Sequence, residues 1–253
     1  MMTNAILHAF QKARLSGQKQ IAVLVDPDKT SPESAAVLAR RASEAGVDYL
    51  MVGGSLIVDG QFERCIESLQ LHSGLPVILF PGDTMQVSTA ADGILLLSLI
   101  SGRNAELLIG RHVIAAPALR RSGLEILPTG YMLIDGGAPT SVSYMSNTMP
   151  IPANKPDIAQ CTAMAGEMLG LQVLYMDAGS GAQNPVSAAM IEAVRRSVQL
   201  PLIIGGGLRN PESVLNAMSA GADIVVVGTA IEQEPGLLER MADAVRRHFG
   251  KEI

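Results

Sequence analysis

Eight short apolar runs of β type, spread along the chain with helix-like stretches between them, restrict the fold more than any other feature. They occupy residues 21–25, 49–52, 77–80, 94–97, 130–134, 173–176, 202–204 and 224–227. Near-continuous apolar strands signal a sheet covered on both faces. Eight of them alternating with helices point to an α/β fold, a closed (β/α)8 TIM barrel rather than an open doubly wound sheet. The 253 residues suit one such barrel, so a single domain over 1–253 is expected. Ser31-Pro32, Asn184-Pro185 and Asn210-Pro211 each offer an N-cap followed by proline at the first helical position. Gly46 and Gly221 offer helix stops. Two intervals are irregular. The gap between 80 and 94 is too short for a full helix and its loops, so the third helix is expected to be irregular or missing. Residues 136–156 are rich in Ser, Thr, Pro and Gly, which predicts a lid or a disordered connection.

Several function classes are disfavoured. A net charge of −5 carries no basic footprint for nucleic acid. Cys65 and Cys161 lack CxxC spacing and suit a reducing compartment. The four histidines, His8, His72, His112 and His248, form no HExxH motif, which removes the usual zinc signature. The longest apolar stretch, 94–100, falls far short of the ~20 residues a membrane span needs. The first residues lack a signal-peptide layout. A cytoplasmic protein without a transmembrane segment is expected.

Parallel barrels place their active sites at the C-terminal ends of the strands. The sixth run ends in Tyr175 and Met176 and is followed by Asp177, Ala178, Gly179, Ser180 and Gly181; after the seventh come Gly205, Gly206 and Gly207; after the eighth, Gly228 and Thr229. Glycines let backbone N–H groups approach a shared anion, and a following helix N-terminus favours negative charge. The three turns read as a phosphate cradle. Asp177 is either a turn cap or, beside an anion it would repel, a ligand for substrate hydroxyls or a base; Tyr175 shares its strand face. Asp26-Pro-Asp-Lys29 is turn chemistry or a hard-oxygen Mg2+ site completed by Ser55 and substrate phosphates. Asp135 should face the same mouth. Two anion sites of different character suggest two phosphorylated substrates: a metal-held diphosphate that leaves and a glycerol- or sugar-phosphate whose hydroxyl attacks.

The ordered set Leu24-Val-Asp-Pro-Asp-Lys29, Val52-Gly-Gly-Ser55, Phe80-Pro-Gly82, Ser101-Gly-Arg-Asn104, Leu108-Ile-Gly110, Tyr175-Met-Asp-Ala-Gly-Ser-Gly-Ala182, Ile204-Gly-Gly-Gly-Leu-Arg-Asn-Pro211 and Val227-Gly-Thr229 resembles the geranylgeranylglyceryl phosphate synthase family, its second group most closely. The resemblance implies a modified barrel lacking a regular third helix. It also implies transfer of a geranylgeranyl group from geranylgeranyl diphosphate to the C3 hydroxyl of sn-glycerol 1-phosphate, an ether-lipid precursor step in phospholipid biosynthesis. On this sequence, Asp26 and Ser55 would bind Mg2+; Tyr175 through Gly181, Gly206, Gly207, Gly228 and Thr229 would hold sn-glycerol 1-phosphate; Asp177 would help remove the proton. A homo-oligomer is also implied.

Two departures stand out. Asp177 replaces a Glu found in many relatives, and Leu24 stands where the family's first group has a lysine, leaving Lys29 or Arg103 as substitutes. No DDxxD pair occurs, which disfavours the all-helical isoprenoid synthases. Met51, Met132 and Met145 are candidates for an apolar groove, and Tyr131, Tyr144 and Tyr175 for contacts to an allylic cation. Rival readings are another phosphate-binding barrel enzyme (a sugar-phosphate isomerase or lyase), a flavin-binding oxidoreductase, and a non-catalytic phospholigand sensor.

Overall fold

The computed structural model describes residues 4–58, 60–234 and 236–250; the expected domain limits, 1 and 253, lie outside the described residues. Eight parallel strands close in sequence order: β1 Gln20–Val25, β2 Tyr49–Val52, β3 Val77–Leu79, β4 Gly93–Leu99, β5 Glu125–Leu133, β6 Val173–Asp177, β7 Leu202–Gly205 and β8 Ile224–Val227. Pairing of Gln20 through Val23 with Ile224 through Val227 seals β1 to β8. The helices are α1 Ala5–Ser16, α2 Pro32–Glu44, α3 Phe62–Ser73, α4 Arg111–Ser122, α5 Ser141–Ser146, α6 Pro156–Met168, α7 Ala188–Ser197, α8 Pro211–Ser219, α9 Thr229–Gln233 and α10 Leu237–Phe249. The expected TIM barrel and its missing third helix are both present.

Strand alternation sorts the core into two layers. Leu174 and Met176 point outward and pack with the helices, while Val173 and Tyr175 point into the barrel. Helix α1 plugs the N-terminal end of the barrel, adding Ile6, Leu7 and Phe10 to the interior layer. The Glu125 carboxylate at the start of β5 accepts the Ile6 and Leu7 N–H groups at 2.8 and 2.7 Å, satisfying donors that a helix start leaves unpaired. With one end filled, the opposite end remains for a site.

Between β3 and β4 the chain makes turns instead of a helix. The Asp83 carboxylate accepts the Met85 N–H, and buried Gln86 bridges the Gly82 N–H and the Gly54 carbonyl at 3.0 Å each. Proline-started helices appear as expected after Ser31 and Asn210, each of which accepts an N–H in the first turn. Asn184-Pro185 does not start one: the Asn184 N–H donates to the Gly136 carbonyl, which ties that loop to the loop after β5, and Ser187 caps α7 instead. Residues 136–156 are ordered rather than disconnected. Helix α5 begins with a reciprocal Thr140–Ser143 cap, and Ile134 bridges Ile151.

Candidate active site

Asp177 closes β6 on its inward face, at the level where β7 ends in Gly205. Its Oδ2 accepts the Tyr131 hydroxyl at 2.6 Å and its Oδ1 accepts the Gly179 N–H at 2.7 Å. Burial pushes the Asp177 carboxyl above the usual carboxylate range, and the two hydrogen bonds oppose that shift. Burial, reinforced by the Asp177 charge, likewise raises the Tyr131 and Tyr175 phenols. Tyr131 therefore stays a proton donor to a carboxylate more basic than an ordinary one.

The glycines around Asp177 are required by contact. Gly206 has φ 78°, and a Cβ there would lie 2.6 Å from Asp177 Oδ1 and from the Gly179 nitrogen. At Gly205 a Cβ would meet the Tyr175 hydroxyl. Ser180 Oγ and Thr229 Oγ1 stand 3.1 Å apart, joining the turns after β6 and β8. Ser180, Gly181, Gly206, Gly207, Gly228 and Thr229 all line one cavity of about 1390 Å3 at the C-terminal ends of the strands, as do Tyr175 and Asp177. Met176 and Ala178 need correction: their side chains pack in the outer layer because they alternate with Tyr175 and Asp177, so only their backbone is at hand. Gly179 serves through its N–H to Asp177. The expected helix dipole is also small. Of the helices that follow the three glycine turns, the five-residue α9 starts at the cavity, whereas α7 and α8 begin further along, at Ala188 and Pro211. Arg209, part of the Ile204–Pro211 motif but not among the expected site residues, lines the cradle and donates to the Ala182 carbonyl at 2.6 Å.

Asp26 and Ser55 line the same cavity. The Asp26 carboxylate sits against the Gly53-Gly54 turn, where a Cβ on Gly54 would be 3.8 Å from Oδ1; a Cβ on Gly53 would collide with the Phe80 carbonyl at 1.9 Å. Lys29 Nζ pairs with Asp26 Oδ2 at 2.8 Å. Among the described residues, no group of three or more His, Cys, Asp or Glu is placed to hold a metal. One carboxylate and one hydroxyl nevertheless fit Mg2+, which takes hard oxygen donors and relies on substrate phosphates for the rest. Glu232 on α9 lines the cavity too, and burial pushes its carboxyl up.

Between the two corners lie three stacked or tilted rings. Phe80 stacks on Tyr175 at 4.9 Å and 8°, and Tyr131 stands 5.6 Å from Tyr175 and 5.9 Å from Phe80. Tyr144, an expected member, is exposed and turned away. From the rings the cavity runs along Phe62 of α3, Val87, Ile94 and Leu96, then Ala115 and Leu119 of α4. This is the space that a helix between β3 and β4 would fill. Met145 lines the cavity, but Met51 is buried in the barrel interior and Met132 in the outer layer, so neither does. Asp135 is exposed and instead turns its own loop, accepting the Gly137 N–H at 2.9 Å. Arg103 folds onto the carbonyls of Ile100, Ser101 and Gly102, which leaves Lys29 and the unforeseen Arg111 as cations at this end.

A plugged (β/α)8 barrel whose open end joins a glycine cradle, a buried carboxylate and a long apolar arm is the architecture of a phosphate-handling barrel enzyme. The model of the PcrB family matches residues 14–248. The chain belongs to that family. A protein named geranylgeranylglyceryl phosphate synthase from Spirosoma linguale is 56% identical over 92% of this chain and 94% of its own. One of the same name from Chitinophaga pinensis is 54% identical over 96% of this chain and 97% of its own. The crystal structure of (S)-3-O-geranylgeranylglyceryl phosphate synthase from Thermoplasma acidophilum in complex with sn-glycerol-1-phosphate superposes with a TM-score of 0.91. That structure is 31% identical over 98% of this chain and 100% of its own. An N-acetylmannosamine-6-phosphate 2-epimerase from Clostridium perfringens, at 14% identity and a TM-score of 0.53 over 91% of this chain and 92% of its own, shares the fold alone.

Proposed function

We propose that this protein transfers a geranylgeranyl group from geranylgeranyl diphosphate to the C3 hydroxyl of sn-glycerol 1-phosphate and releases diphosphate. The observation that carries the reading is the setting of Asp177. A buried carboxylate raised above the usual range stands between a glycine cradle that would take a phosphate and an apolar arm that would hold a long prenyl chain. The phosphate of the acceptor would sit among Ser180, Gly181, Gly206, Gly207, Gly228 and Thr229, with Arg209 at its edge. Asp177 would accept the C3 hydroxyl proton as the oxygen bonds to C1 of the prenyl group and the C1–diphosphate bond breaks. Tyr131 and the Gly179 N–H hold the carboxylate in place for that transfer. The rings of Phe80, Tyr131 and Tyr175 present π faces to positive charge developing on C1.

Asp26 and Ser55 would hold Mg2+, which supplies charge stabilisation for the departing diphosphate. Lys29 and Arg111 add positive charge at that corner. The protein would act as a single barrel domain in the cytoplasm, in keeping with its free cysteines Cys65 and Cys161. No helix among the described residues is long and apolar enough to cross a membrane. A homo-oligomer is the further reading: Ile109, in the π-helical turn Glu106–Gly110 that leads into α4, and Val113 and Ile114 of α4 are each more than 60% exposed, an apolar surface that suits a second copy.

The test is diphosphate release from geranylgeranyl diphosphate with sn-glycerol 1-phosphate, with and without Mg2+, in the native protein and Asp26→Asn. Release should require the acceptor and the cation and should vanish in Asp26→Asn, whose affinity for sn-glycerol 1-phosphate should be nearly unchanged. Full activity in Asp26→Asn would refute the metal assignment, and no turnover of the native protein with any prenyl diphosphate would refute the reaction.

A further inference from the structure

Asp26 has no idle oxygen. Its Oδ2 carries the Lys29 ammonium at 2.8 Å, and its Oδ1 accepts the Asp28 N–H at 3.1 Å. Lys29 lies one turn further along the same loop, where its own N–H donates to the Asp26 carbonyl at 3.1 Å. Its side chain is 58% exposed, against 25% for Asp26. An exposed pair of this kind is held weakly, and the lysine stem is long and flexible enough to swing away without moving the backbone. Both residues line the cavity, as does Glu232, whose charge also acts on Lys29.

We propose that Lys29 occupies the metal position on Asp26 in the substrate-free protein. It surrenders that position far more readily when a divalent cation and a diphosphate arrive together, its ammonium then turning to the diphosphate oxygens. The proposal rests on the reading of Asp26 as a metal ligand. A divalent cation alone must displace a like charge from the carboxylate. Diphosphate alone meets an ammonium already paired, with Asp26 and Glu232 repelling the anion. Arriving together, the two exchange partners with the ion pair: the cation takes Asp26 and the ammonium takes diphosphate. Each ligand therefore strengthens the other, and by linkage the strengthening is equal in both directions.

The experiment is Mn2+ binding followed by electron paramagnetic resonance, with and without inorganic diphosphate, corrected for the Mn2+–diphosphate complex in solution. In the native protein Mn2+ alone should bind weakly, and diphosphate should tighten it by about tenfold or more. Lys29→Met should bind Mn2+ alone about fivefold tighter than the native protein and show a correspondingly smaller gain from diphosphate. Lys29→Gln should follow Lys29→Met, and Lys29→Arg should follow the native protein. Native affinity for Mn2+ alone in both uncharged variants, or an undiminished gain from diphosphate, overturns the exchange alone. If Asp26→Asn binds Mn2+ as well as the native protein does, the exchange falls together with the metal assignment on which it stands.

Discussion

Tyr131→Phe removes one oxygen and leaves the ring against Phe80 and Tyr175. The lost bond is the 2.6 Å donation to Asp177 Oδ2, while the Gly179 N–H still serves Oδ1. A hydrogen bond to a charged, buried acceptor contributes about 1.5–3 kcal/mol. Because ~1.4 kcal/mol corresponds to one pH unit in a titration, the acidic limb of kcat/KM should move about one to two pH units higher. Activity on the alkaline side should fall much less. Stability should change in the matching window. The folded-state pKa of Asp177 is raised by burial, so this group favours folding most at low pH, and that contribution is lost as pH rises through the folded value. Removing the Tyr131 hydroxyl raises the folded value further. At neutral pH the variant should therefore be about 1.5–3 kcal/mol less stable, with the difference shrinking as pH falls and Asp177 protonates in both proteins. A pH–rate profile and urea unfolding at several pH values test both halves. An acidic limb that stays where it was in the native protein would refute the assignment of Tyr131 as the group holding Asp177 charged.

Gly206→Ala forces a left-handed φ on a residue with a Cβ, about 1–2 kcal/mol, and drives that Cβ to 2.6 Å from the Asp177 carboxylate. KM for sn-glycerol 1-phosphate should rise at least tenfold while affinity for prenyl diphosphate, followed by competition, stays close to native. Glu125→Ala strips two N–H partners from α1 and should cost about 3 kcal/mol of stability, read as a lower Tm, with kcat unchanged because the plug is at the far end of the barrel. Val113→Asp should dissociate the proposed oligomer without reducing activity per subunit, as judged by light scattering and diphosphate release.

The period of the apolar runs made the barrel legible because each strand is buried on both sides and has no polar face to confuse the pattern. Residues 80–94 were too few for a helix, so its absence was equally readable. The consequence was not: the space it vacates became the apolar arm, lined by residues such as Phe62, Ala115 and Leu119 that look like ordinary core in sequence. The methionines misled for the same reason, since Met51 and Met132 fill core layers where a flexible thioether packs well. Alternation placed Tyr175 beside Asp177 correctly, and extending it one step would have excluded the side chains of Met176 and Ala178. The bond from Tyr131 to Asp177 is not legible, because the pairing between β5 and β6 that brings the hydroxyl there is not written in either strand. Arg111 and Glu232 carry no local motif, and Arg209, though within the Ile204–Pro211 motif, carries no sign there of its place in the cavity. They reach the cavity only because the barrel closes.

A crystal structure with sn-glycerol 1-phosphate, Mg2+ and a non-hydrolysable geranylgeranyl diphosphate analogue tests the account most directly. The acceptor phosphate should lie between Gly206-Gly207 and Gly228-Thr229, with its C3 hydroxyl on Asp177 and about 3–3.5 Å from C1 of the prenyl group. A prenyl chain lying outside the arm between α3 and α4, or a C3 hydroxyl out of reach of Asp177, would contradict it.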